Sequence, residues 1–149
     1  MAEGVLNFKG KPRFRAFSAG SHPSGTVRPE AIKRLDAAGF PTPGLRSKSW
    51  DEFSQPGAPV FDFVFTVCDN AAKELCPIWP GHPMTAHWGV PDPAAVQGAP
   101  DKRSAQEVER AYQEAFSILE RRIGLFLSLP LETIDKLVLK KEVEKIGQR

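Results

Sequence analysis

At 149 residues, with 41% hydrophobic and 26% charged content, the chain has the makeup of one soluble globular domain, too short for two comfortable ones. A formal charge of +2 from scattered basic residues argues against nucleic acid as a partner. No window approaches the roughly 20 apolar residues of a membrane helix, and the two cysteines are too few for a disulfide scaffold. Met1-Ala2-Glu3-Gly4 has neither the basic nor the apolar region of a secretory signal. The expected setting is therefore cytoplasmic, away from membranes, where cysteines are either buried thiols or redox chemistry.

Met1 to Lys9, apolar at Val5, Leu6 and Phe8, reads as the last turns of a helix with an abrupt beginning. Arg13 to Ser18 alternates well enough for a strand, and Ala19 to Gly25 is a loop. Pro29 fits a first helical position. Ala31, Ile32, Leu35 and Ala38 then form an apolar face ending at Gly39, a natural residue just past a helix. Phe40 to Gly44 is a turn. Ser49, with Glu52 three residues on, predicts a short helix opened by a capping box.

Phe61 to Val67 is an apolar run that ends in Cys68-Asp69-Asn70. The other cysteine, Cys76, follows in Leu75-Cys76-Pro77, and a second run from Met84 to Val90 breaks into Pro91-Asp92-Pro93. Such β-branched and aromatic runs read as strands buried on both faces. In an open α/β sheet, ligands and chemistry gather at the carboxyl ends of strands. A long helix follows with Asp101 as its N-cap, Val108, Ala111, Tyr112, Ala115, Leu119, Ile123 and Phe126 on one face, and Pro130 as its stop. Leu131, Ile134, Leu137 and Val138 predict a last amphipathic helix with a charged, solvated tail from Lys140 to Lys145. The alternation of strands with helices implies a parallel sheet with right-handed crossovers.

Ser18-Ala19-Gly20-Ser21, Gly44-Leu45-Arg46-Ser47-Lys48, Thr66-Val67-Cys68-Asp69-Asn70-Ala71-Ala72, Cys76-Pro77, His87-Trp88-Gly89 and Asp92-Pro93-Ala94 occur in that order. Together they are similar to the arsenate reductases built on the low-molecular-weight tyrosine phosphatase fold, over nearly the whole chain. The resemblance implies a single α/β domain over residues 1–149, a three-layer parallel sheet with helices on both faces. The family's C-x5-R-S loop, whose backbone N–H nest and arginine hold the oxyanion while its cysteine attacks, is absent from these residues. The expectation is thus an N-terminally truncated domain, inactive as written. Its first strand would belong between Arg13–Ser18 and Phe61–Val67. Such a chain should be molten, self-associated, or rearranged so that those two strands pair.

By the same resemblance Cys68 and Cys76 correspond to the second and third cysteines of the reductase relay, and Asp92 to the general acid that protonates the leaving oxygen. The substrate would be an arsenate or phosphate oxyanion. No metal or organic cofactor is implied. The reductant would be an external thiol: thioredoxin, a similar thioredoxin-like protein such as glutaredoxin, or a low-molecular-weight thiol. Bland readings stand beside these. Both cysteines could be small buried hydrophobes, and Asp92 could simply form an Asx-turn before proline. His22, His82 and His87 show no zinc spacing, and Trp50, Trp79 and Trp88 read as core or loop anchors. The alternatives are a phosphatase of the same fold, against which the cysteine pair argues, and a non-catalytic, redox-responsive remnant.

Overall fold

A computed structural model describes residues 1–68, 73–74, 77–97 and 103–149. Its elements are α1 (Ala2–Lys9), α2 (Pro29–Ala37), a one-turn 3-10 helix (Trp50–Phe53), β1 (Phe63–Thr66), β2 (Met84–His87), α3 (Pro93–Gln97), α4 (Ala105–Leu127) and α5 (Lys136–Ile146). β1 and β2 pair in parallel, Phe63 beside Met84 through Thr66 beside His87. Parallel strands need a long crossover, as the sequence order implies.

The core is built from helix stripes closing on one side of this sheet. Val5, Leu35, Phe116, Ile123, Phe126, Leu139, Val143 and Ile146 pack with Trp88, and Phe63, Phe65, Met84 and Ala86 face into the same cluster. Phe126 of α4 meets the rings of Phe63 and Phe65 edge-on, at 5.0 and 5.3 Å between centroids, a favoured aromatic geometry. α2 starts at Pro29, as expected, and the chain leaves it through Gly39 at φ +79, a conformation only glycine adopts without strain.

Several expectations need correction. Arg13–Ser18 is not a strand; its backbone is bonded by side chains of α1 instead. Asn7 donates from Nδ2 to the Ala16 carbonyl at 2.9 Å and accepts the Ala16 N–H on Oδ1 at 2.8 Å. Glu3 accepts the Ser18 N–H at 3.0 Å. With their bonds made to α1, the Ala16 N–H and carbonyl and the Ser18 N–H need no strand partner. Burial on both faces fails for β2, where Thr85 and His87 are exposed, whereas β1 is half-buried throughout.

The helix ends also differ. Ser49 accepts from Asp51 N at 3.2 Å rather than joining Glu52 in a capping box, because the Glu52 carboxylate is engaged by Arg46 at 2.6 and 2.8 Å. α4 is capped by Ser104, in a reciprocal capping box with Glu107; Asp101 lies outside the described residues. In α5 the buried face is Leu139, Val143 and Ile146. Leu137 and Val138 are exposed, since the helix begins only after its Asp135 N-cap and its apolar stripe is set from there.

Candidate functional site

The parallel register brings the exits of β1 and β2 to one end of the sheet. Beyond the last paired residues the strands stay joined: Trp88 N donates to Thr66 O and Val90 N to Val67 O, each at 2.7 Å. Thr66 Oγ1 and His87 Nδ1 lie 2.8 Å apart across the same end. Cys68 follows Val67 directly and is half-buried. Asp92 comes two residues after Val90 and is exposed. The structure thus places Cys68 and Asp92 at neighbouring strand exits. Cys76 lies outside the described residues.

Asp92 directly precedes α3. Its Oδ1 accepts from Ala94 N at 2.9 Å and its carbonyl from Ala95 N at 3.2 Å. The Asx-turn reading is therefore correct as local structure. It fixes the carboxylate at the β2 exit and leaves it exposed.

Behind the exits sits Trp88, 2% exposed. Its indole stacks on Phe65 at 4.0 Å and 13°, and its Nε1 donates to Val143 O of α5 at 2.9 Å. Arg122, buried in the apolar stripe of α4, donates from one guanidinium nitrogen to Trp88 O at 2.8 Å and Gly89 O at 2.9 Å. Burial holds the Arg122 pKa below its ordinary value, with the neighbouring Arg121 charge acting in the same direction. Sequence reading passed over this residue. The signal was present: Arg122 lies between Leu119 and Phe126 at helical spacing and next to Ile123, where a charge needs a reason.

A second polar centre joins two of the quoted motifs. Gly20 N donates to Lys48 O at 3.1 Å and Trp50 N to Gly20 O at 3.0 Å, so the Ser18–Ser21 stretch meets the end of Gly44–Lys48 at a single parallel bridge. Lys48 is buried, and its Nζ reaches Glu3 Oε2 at 3.1 Å and Arg46 O at 3.2 Å. The same Glu3 oxygen bonds the Ser18 hydroxyl. Trp50 and Trp79 are half-buried, Trp79 edge-on to Phe61 at 6.0 Å. Among the described residues no group of three or more His, Cys, Asp or Glu side chains is placed to hold a metal ion, and no helix is long and apolar enough to cross a membrane.

Parallel strands with a cysteine and an aspartate just past their exits, backed by a long helix, form an α/β arrangement with its polar groups at the strand ends. The low-molecular-weight phosphotyrosine protein phosphatase family matches residues 1–138, and the chain belongs to that family. Among its relatives, an arsenate reductase of Shouchella clausii is 31% identical over 103 residues, 69% of this chain and 70% of its own length. An arsenate reductase of Bacillus subtilis is 32% identical over 105 residues, 70% of this chain and 72% of its own length. One from Bacillus licheniformis is 32% identical over 105 residues, 70% of this chain and 72% of its own length. The parallel α/β architecture and the enzyme family expected from the sequence are thus borne out.

Proposed function

We propose that this chain carries the redox half of a thiol-dependent arsenate reductase, working in the cytoplasm. In this reading an attacking cysteine thiolate forms a sulfur–arsenic bond while Asp92 gives a proton to the departing oxygen, which leaves as water. Cys68 then attacks that cysteine's sulfur, and the sulfur–arsenic bonding pair goes to arsenic, releasing arsenite. Cys76 attacks Cys68, expelling the first cysteine as thiolate and leaving a Cys68–Cys76 disulfide. An external dithiol such as thioredoxin or glutaredoxin supplies two electrons to reopen it. The observation that carries this reading is the position of Cys68 and Asp92 at adjacent strand exits, in a chain whose relatives are arsenate reductases.

The attacking cysteine and its oxyanion-binding arginine would come from a C-x5-R loop, which these residues do not contain. Losing a single oxyanion donor can cost on the order of 100 to 1,000-fold in rate. The 149-residue chain by itself is therefore expected to show no arsenate or phosphoester turnover above background. Its relay is testable all the same. Mild oxidation with diamide should join Cys68 to Cys76, and thioredoxin should reduce the bond quickly. Peptide mapping with Cys68→Ser and Cys76→Ser as controls reads this directly. Thiols that resist oxidation and alkylation in the native chain would favour the phosphatase reading, which the family's own description keeps alive.

A further inference from the structure

We propose that Arg122 and the C-terminal helix α5 clamp the Trp88–Val90 backbone, making Arg122 a positioning residue for Asp92 and Cys68. Three elements converge on this short exit. Thr66 at the end of β1 takes the Trp88 amide, and Val67 just past it takes the Val90 amide. α4 supplies the Arg122 guanidinium to the Trp88 and Gly89 carbonyls. α5 takes the indole N–H on Val143 O and brings Gly147 against the strand end. A Cβ on Gly147 would lie 2.2 Å from His87 O and 3.0 Å from Trp88 Cδ1, so this contact is possible only without a side chain. Most of α5 lies past residue 138, where the family match ends.

The guanidinium is the informative part. For packing alone, a leucine or methionine between Leu119 and Phe126 would serve, because burying a charge is costly. Arg122 accepts that cost with its Nε left without a hydrogen-bond partner among the described residues. What it gains is two carbonyl bonds, both on the backbone that leads to Asp92. The Val90–Val67 bond transmits the constraint to the residue just before Cys68. Holding that backbone therefore holds both exits in register. The clamp's catalytic purpose rests on the reading of Asp92 and Cys68 given above, whereas its existence is read from amides and a thiol, independently of any activity.

The test is residue-resolved amide exchange and Cys68 alkylation by iodoacetamide, in the full chain. Arg122→Met should speed exchange of the Trp88 and Val90 amides by about tenfold or more, as expected for losing charge-assisted bonds. Amides within α1 and α2 should change far less. Cys68 alkylation should rise in parallel, and Arg122→Lys should restore part of both effects. Gly147→Ala should loosen the same two amides from the α5 side. If Arg122→Met changes all amides equally, or Lys rescues no better than Met, Arg122 is merely structural and the proposal fails. Should Arg122→Met not fold, Gly147→Ala decides: unchanged exchange at Trp88 and Val90 overturns the clamp.

Discussion

Glu3 and Lys48 form an ion pair whose side chains are only 12% and 3% exposed. Glu3 also holds the Ser18 N–H, so one carboxylate serves α1, the Ser18–Ser21 loop and the Gly44–Lys48 stretch. A buried pair is a weak contributor as a pair, yet breaking it by deleting one partner strands the other charge. Glu3→Ala is therefore expected to cost about 3–5 kcal/mol. Adding Lys48→Met should recover much of the loss, since no uncompensated ammonium remains. Denaturant unfolding of the double-mutant cycle measures this coupling. Additive losses would show that Lys48 reaches solvent when unpaired. Neither partner could be found from periodicity, because their meeting depends on contacts between residues far apart in the chain. Asn7 makes the same point: its amide imitates a strand neighbour for Ala16, something alternation at Arg13–Ser18 cannot foresee.

Helix α4 shows where local sequence does decide. Ser104 Oγ accepts from Glu107 N at 3.2 Å, and Glu107 Oε2 accepts from Ser104 N at 2.8 Å. The S-x-x-E pattern of Ser104 and Glu107 encodes this start, whereas an N-cap at Asp101 rests only on its place after the Gly98-Ala99-Pro100 loop. Ser104→Ala should cost about 1 kcal/mol at any pH near neutrality. The acidic half of the box behaves differently. The Ser104 backbone N–H, then its hydroxyl, hold the Glu107 pKa below its ordinary 4.5. A depressed carboxylate stabilises above its unfolded value, and that contribution fades as pH falls through the lower folded value. The stability gap between wild type and Glu107→Gln should therefore be present at neutral pH and fade as pH falls below 4.5 through the lower folded value. A gap that persists at pH 2 would mean that shape, not charge, does the capping. The α2 boundaries at Pro29 and Gly39 were legible for the same reason, as each depends on backbone chemistry within a few residues. The face of α5 was not, because Leu137 and Leu139 are equally apolar and only docking on Trp88 chooses between them.

For the molecule as a whole, the parallel α/β class and the cysteine and aspartate at strand exits were readable, since strands, stops and motifs are local. Of the three outcomes expected without a strand between Arg13–Ser18 and Phe61–Val67, direct pairing of those two segments is not seen. Among the described residues β1 pairs with β2 alone, and side chains of α1 take the backbone of the other segment. What holds the sheet in place is helical packing, and α5 has a large share of it. Leu139, Val143 and Ile146 all enter the main core with Trp88 and Phe126. Burying each is worth about 1.5–3 kcal/mol, together comparable to the roughly 5–15 kcal/mol net stability of a small domain. A chain ending at Ile134 should therefore lose cooperative unfolding. It should keep most far-UV circular dichroism, bind ANS, and lose its near-UV signal, the marks of a compact state without fixed packing. Trp88 emission should shift to the red, read in a Trp50→Phe, Trp79→Phe background. A sharp transition with unmoved emission would place the core in α1, α2 and α4 alone and reduce α5 to a surface addition.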